Sequence, residues 1–510
     1  MQWSASKLRK LVGWEGGLAV VWFALTIFAL VPVWGQRLLP MLDTPSHLAL
    51  ARGWHSFHDP AYRIAEFYSL RIRPVPYVAF YATIDALMYV MPIELANKLF
   101  LSVYLVLFPL SILSVARAFG RSPWLAVGAF PLAFNQNWIY GFSSFLMSVA
   151  ISFFALAQLL RLLQGPTTKR ALRLGVLCLL AYVFHIMPWA MFGLGAIVLL
   201  WMWRRSLSAV YIAALAMAPS VLLALYAIWD DRAEGVYLKG EGGFDGVFKS
   251  FPLSVGEWPR RVMELFPGPL DGAILLVLAV TTVALVWWRG AKGSPVLVVL
   301  LVLMGLEYVS LPYSISKPMS WWFVAPRIPS MMAPLMLLLP EGSFKGRQRL
   351  ALLPFVLAGV VLPLALSQRY RGFSRRNIAF MHLCERIPDG ASTFVDYRGM
   401  VRGKGSAELS GDPATAGPVY WHFGSWPMAL HGGYGPSIFD QGIPIRPKQK
   451  LLAPTPAQAD SFTFRAAPEF DYYLVREAPE HFDREPAVEV VEKRGDWTLY
   501  HRIHEMTEEP

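Results

Sequence analysis

Leu42-Asp43-Thr44-Pro45-Ser46-His47-Leu48-Ala49-Leu50-Ala51-Arg52 follows shortly after an almost uninterrupted apolar run from Gly17 to Gly35. The run is preceded by Lys7, Arg9 and Lys10. It is too long for a signal-peptide core and lacks a convincing small-residue cleavage site, so it is expected to remain as a first membrane helix with its basic end in the cytoplasm. Asp43 then emerges at the outer surface. Thr44 can cap a short helix with Pro45 at its first position, and His47 lies about one turn from Asp43. A carboxylate held there can accept a proton from an incoming hydroxyl or coordinate a cation. In the alternative, Asp43 is an ordinary helix cap at a lipid interface.

Composition agrees with a lipid-embedded chain. Of 510 residues, 55% are hydrophobic and 16% charged, and the mean hydropathy is +0.42, which excludes a purely soluble enzyme. The charge of +11 and the 19 tryptophans suit basic inner loops and interfacial aromatic belts rather than nucleic-acid binding. Cys178 and Cys384 fall in segments of opposite polarity, so no disulfide is expected. No phosphate-binding glycine loop of the dinucleotide or Walker type occurs, nor any internal repeat.

Further apolar segments of membrane length lie near 98–116, 122–139, 142–163, 172–186, 187–203, 207–229, 270–288, 295–313, 327–340 and 350–367, giving eleven spans with the first. Segment 74–95 is long enough to be a twelfth, but it carries Asp85 and opens with Pro74 and Pro76. If it enters or lies along the outer leaflet without crossing, every strongly basic loop falls inside: Arg117 and Arg121; Arg161, Lys169, Arg170 and Arg173; Arg204 and Arg205; Arg289 and Lys292; Lys345, Arg347 and Arg349. If it crosses, all of them fall outside, against the positive-inside rule. Eleven crossings place outside the loops 36–96 and 230–268 and everything after the last span.

The expected fold is therefore an α-helical polytopic membrane protein with a C-terminal extracytoplasmic α/β domain, divided into residues 1–367 and 368–510. Within the polar C-terminal part, Ser392–Tyr397, Phe470–Val475, Ala487–Glu492 and Trp497–His501 read as strands, and Arg376–Ile387 as a helix.

An N-terminal span, an Asp-x-x-x-His helix opening a long first outer loop, a proline-bearing apolar segment, many further spans and an exterior soluble domain together resemble the GT-C class of integral membrane glycosyltransferases. The resemblance covers the whole layout. It implies transfer of a sugar, with inversion at the anomeric carbon, from a polyprenyl-phosphate donor to a glycan, lipid or protein acceptor of the cell envelope. It places the catalytic base, or the organiser of acceptor and metal, at Asp43. A divalent cation is the one cofactor the resemblance brings, and no second acidic motif of the oligosaccharyltransferase kind is found to hold it. The many Arg and Trp with few Cys point to a bacterial plasma membrane.

Other residues take places beside this scheme. Arg327, after Trp321-Trp322-Phe323-Val324-Ala325-Pro326, can clamp a phosphate with paired donors or snorkel at the interface. His185, in Tyr182-Val183-Phe184-His185-Ile186, is a second donor to that phosphate or a hydrogen-bonded structural histidine. Lys317 is a weaker third cation. His47, Asn137, Trp138, Tyr140 and Glu307 are candidates for a substrate pocket, the turn 135–141 by hydrogen bonding and ring stacking, and Glu307 as an acid that must face the interior. His55 and His58 are spaced to share a metal, with no third ligand near in sequence. In the C-terminal part, Tyr420-Trp421-His422-Phe423 and His431-Gly432-Gly433-Tyr434-Gly435 have the composition of carbohydrate-binding or ordinary loops. Two other classes fit the spans: a transporter or flippase of a lipid-linked glycan, and a non-catalytic envelope assembly protein. An outer hollow that joins Asp43 to Arg327 separates a transferase from both.

Overall fold

A computed structural model describes residues 17–204, 206–233, 244–291, 295–317, 321–396, 412–436, 438–439, 444–448, 469–477, 482 and 484–503. Arg205, Lys292, Tyr397 and part of the second outer loop lie outside these residues.

The chain is mostly helical. Among the described residues, five helices are long and apolar enough to cross a membrane: Ile93–Ala118, Ser143–Gln164, Leu207–Asp230, Leu270–Arg289 and Gly346–Arg376. Shorter apolar helices include Leu18–Trp34, Ile186–Met202 and Pro295–Ser310, and Thr168–Phe184 packs beside them. Ser143–Gln164 is the hub, buried along almost its whole length. It carries Ala150, Ala155, Ala157 and Ser148 into the helix contacts, small residues that let backbones approach in a medium without a hydrophobic drive between helices. Ser148 Oγ donates to Ala181 O at 2.8 Å. Leu207–Asp230 and Leu270–Arg289 lie at the rim and present Leu215, Leu222, Val280 and Val283 outward, as lipid-facing helices do.

Two expected spans are not continuous helices. Segment 122–139 is a 3-10 turn over Pro123–Gly128 followed by the four-residue helices Ala129–Leu132 and Gln136–Ile139. Segment 327–340 holds only the nine-residue helix Ile328–Met336. Pro123 and Pro131 break the first, and Pro329 and Pro334 shorten the second, since proline removes a ladder donor and clashes with the preceding turn. Such backbone is tolerated at membrane depth when other groups satisfy it: Tyr104 Oη donates to Ala133 O at 3.0 Å, and Asn135 Nδ2 to Leu132 O at 3.2 Å. Segment 74–95 forms an 11-residue helix, Val78–Met88, which at 1.5 Å per residue reaches about half of a ~30 Å hydrocarbon core.

The helix Leu353–Arg376 runs unbroken through the expected domain boundary at 367. After Asn377 the chain resumes as Ile378–Cys384, which covers a four-stranded sheet in the order 393–396, 472–476, 497–502, 488–494. The first pair is parallel and the others antiparallel. The helix is held by Phe380 against Trp497, ring centroids 4.8 Å apart. Both cysteines are free and buried.

The C-terminal part is pinned to the first outer loop. Tyr68–Leu70 pairs antiparallel with Ile445–Pro447, and Arg52 Nε donates to Ala429 O at 3.2 Å. A Cβ on Gly53 would stand 2.2 Å from Ile445 Cδ1, so any larger residue there would force the Ile445 side chain to shift.

Candidate active site

Asp43 is the N-cap of the outer helix Thr44–His55, but its carboxylate makes no capping hydrogen bond. Its oxygens are therefore not spent on the helix end, which removes the cap explanation. The backbone around it is fixed from the turn 135–141: Leu42 N donates to Ile139 O at 2.9 Å and Asp43 N to Tyr140 O at 3.0 Å. Gly141 makes this fit possible. It has φ +73, and a Cβ there would lie 2.9 Å from the amide nitrogens of both Asp43 and Thr44. Substitution Gly141→Ala therefore combines left-handed strain of about 1–2 kcal/mol with a push on the Asp43 backbone. The expected result is a lower melting temperature, measured on the purified protein.

Asp43 is only 7% exposed. Burial pushes its carboxyl well above the usual carboxylate range, and the nearby Arg327 pulls it back. His422 of the C-terminal part brings Nε2 to 3.8 Å from Oδ1. His47, one turn along the helix, holds Nδ1 2.8 Å from Tyr81 Oη, and its ring packs against Phe439 and Phe80. Burial, then His422 and Arg327, push its pKa down to about 3, so it is neutral. Phe439 covers both imidazoles, with centroids 4.9 Å from His47 and 4.5 Å from His422, and its amide donates to Ser46 Oγ at 2.9 Å.

Arg327, buried, sits in the turn Ala325–Arg327 before the shortened helix. Its guanidinium lies 4.0 Å from the centroid of Phe142 and 5.3 Å from that of Phe145, a desolvated cation-π arrangement. Nη2 donates to Trp322 O at 3.2 Å, Nη1 stands 3.0 Å from His185 Nε2, and Nε has no hydrogen-bond partner among the described residues.

His185 is the residue between Thr168–Phe184 and Ile186–Met202, and its Nδ1 accepts from Met187 N at 3.1 Å. Arg327 can only donate, so in the 3.0 Å contact Nε2 is the acceptor, and the guanidinium competes with the Met187 amide for the one lone pair of a neutral ring. His185 thereby holds the guanidinium in place, and the Nε–H of Arg327, unpartnered among the described residues, is a donor that an anionic oxygen would satisfy.

Of the other sequence candidates, Tyr140 reaches the site, through its carbonyl and through a ring cluster with Phe142, Trp322 and Phe323. Asn137 is buried beneath it, its Nδ2 donating to Ser330 Oγ at 2.9 Å. Trp138 is a correction: its ring is fully buried and stacks on Tyr104, and its Nε1 donates to Tyr370 Oη at 3.0 Å, so it braces the core and lines no pocket. Lys317 is exposed at the end of a two-stranded ribbon, paired in register with Asp245. Glu307 is buried on Pro295–Ser310, and neither carboxylate oxygen has a hydrogen-bond partner among the described residues. His55 Nδ1 lies 2.8 Å from Asp85 Oδ1, and no group of three metal-ligating side chains occurs among the described residues.

Tyr77, Tyr81, His422 and Phe439 complete the site and were not expected in it. His422 had been noted only for its loop composition. No local pattern links it to Asp43, because the link is tertiary.

No protein-family model matches the sequence, and no curated protein does. Among solved structures, the chain is similar to ArnT from Cupriavidus metallidurans bound to undecaprenyl phosphate, at 11% identity and a TM-score of 0.54, covering 96% of this chain and 99% of that one. The apo form of the same protein gives 11% identity, a TM-score of 0.50, and coverage of 96% and 98%. Arabinofuranosyltransferase AftD from Mycobacteria matches at 15% identity and a TM-score of 0.46, covering 95% of this chain and 41% of that one. The chain shares the fold of ArnT over nearly the full length of both, and this is the GT-C-type architecture expected from the sequence.

Proposed function

We propose that the protein is a membrane glycosyltransferase that moves a sugar from a polyprenyl-phosphate donor to an extracytoplasmic acceptor of the cell envelope. The observation that carries this is the convergence of Asp43 and Arg327, far apart in sequence, on one turn: Asp43 N donates to Tyr140 O, the Tyr140 ring stacks on Phe142, and the Arg327 guanidinium lies over the Phe142 ring. A transporter needs a path at mid-membrane, and a scaffold needs neither group.

In this reading the donor phosphate lies against Arg327, whose guanidinium is held by His185. The aromatic surround keeps water away and strengthens the contact. The acceptor hydroxyl attacks the anomeric carbon, and its proton passes to Asp43. The bond from that carbon to the phosphate oxygen breaks, and the phosphate leaves with the electron pair. Negative charge grows on the leaving phosphate, where preorganised donors act most. A single displacement of this kind inverts the anomeric configuration. The amino terminus is cytoplasmic and the C-terminal part extracytoplasmic, so the donor reaches Arg327 laterally from the outer leaflet.

The test is reconstitution of the full chain in liposomes with a panel of polyprenyl-phosphate sugars, following release of polyprenyl phosphate. Turnover of one donor, abolished by Asp43→Asn, is the expected result. Absence of turnover and of binding across the panel overturns the reading.

A further inference from the structure

If Asp43 takes a proton at each turnover, it must also lose one, and its surroundings allow few routes. The side chain is about one-tenth exposed. Arg327 is a cation and accepts nothing. His47 is a weak base, neutral, with Nδ1 engaged by Tyr81. Burial pushes the phenols of Tyr81 and Tyr140 upward, away from titration near neutrality. His422 is the imidazole that faces the carboxylate, its Nε2 at 3.8 Å from Oδ1.

We infer that His422 is the second member of the base, taking the acceptor's proton on from Asp43 and passing it to water. This rests on the transferase reading. The proton leaves the attacking hydroxyl for Asp43, moves to His422 Nε2, and is released from the imidazolium, so both side chains return to their starting forms. The gap must close by about 1 Å to reach hydrogen-bonding distance, a tightening usual when a catalytic pair passes from its free to its substrate-bound form.

The placement of His422 is built rather than incidental. Two residues before it, Tyr420 Oη donates to Asp412 Oδ2 at 2.9 Å and receives Asn377 Nδ2 at 3.1 Å, while Arg376 forms an ion pair with Asp412. Arg376 ends the long helix Leu353–Arg376, so the loop carrying His422 is anchored to the membrane part. On the other side, the Phe439 ring rests on His422 and its amide is fixed by Ser46, three residues from Asp43. The C-terminal part thereby supplies a side chain to the site instead of only covering it.

The experiment uses the full chain in liposomes and a donor that the unaltered protein turns over. His422→Ala is expected to lower kcat about 100-fold, within the range for a lost proton-transfer group, with donor KM close to unchanged. Added imidazole should restore part of that rate, which a merely structural role would not produce. Should His422→Ala fail to fold, as read from thermal unfolding, His422→Gln replaces it. Glutamine can hydrogen-bond but cannot carry a proton, so the same loss is expected. Wild-type kcat in either variant overturns the relay. If Asp43→Asn is inactive at the same time, only the relay falls and the transferase reading stands, whereas an active Asp43→Asn removes both.

Discussion

Asp43→Asn is expected to abolish transfer, with a fall in kcat of about 10²–10⁴-fold, while insertion into the membrane is unaffected. Asparagine keeps the shape and polarity of the side chain but cannot receive a proton. Stability gives an independent check on the sign. Burial raises the Asp43 carboxyl well above its ordinary value, so the folded chain holds this proton more tightly than the unfolded chain. Its contribution to stability is full below the unfolded value and is lost as pH rises through the folded one. Ionised, the buried carboxylate is a burden on the fold, so Asp43→Asn, which carries no charge, should melt at the same temperature or higher. An inactive, stable variant separates a catalytic acid from a structural one. Wild-type turnover by Asp43→Asn would show that the base lies elsewhere.

The same shift sets the pH profile. The base works only when ionised, so the acid limb of kcat/KM should lie above the usual carboxylate range. A limb at the value of a solvated aspartate would contradict the buried setting of Asp43.

Much of this site was legible in the sequence because its ingredients are local. An apolar run followed by Asp43-Thr44-Pro45 specifies an outer helix and an acid at its start, and Arg327 stands out as a cation behind an aromatic run. Charge asymmetry between loops kept segment 74–95 from being read as a span, and its helix is indeed half the needed length. The misreadings came from tertiary effects. Trp138 looks like a stacking surface until Tyr370 and Tyr104 claim its nitrogen and its face. Segments 122–139 and 327–340 satisfy hydropathy, yet their prolines make them broken helices sheltered by protein. The continuity of Leu353–Arg376 across position 367 was hidden because composition changes there while helix geometry does not. His422 could not be assigned, since only the folded chain sets it beside Asp43.

Arg327→Gln should weaken binding of the donor by roughly two orders of magnitude, since removing one partner of a buried charge pair costs about 2–5 kcal/mol. Polyprenyl phosphate binding, followed on the purified protein, measures this directly. Glutamine still offers an N–H, so the neutral part of the contact is kept and the loss reports the charge. Arg327→Lys keeps the charge but gives up the planar fork and the face-on contact with Phe142, so it should fall between the two. A second effect follows from the coupling with Asp43. Arg327 lowers the Asp43 pKa against the larger effect of burial, so its removal should raise that pKa further and move the acid limb of the activity profile to higher pH. A cation that only anchors the chain at the interface would change neither quantity. Donor affinity and acid limb moving together is the result that ties the phosphate clamp and the base to one site, and unchanged donor affinity in Arg327→Gln would remove the clamp.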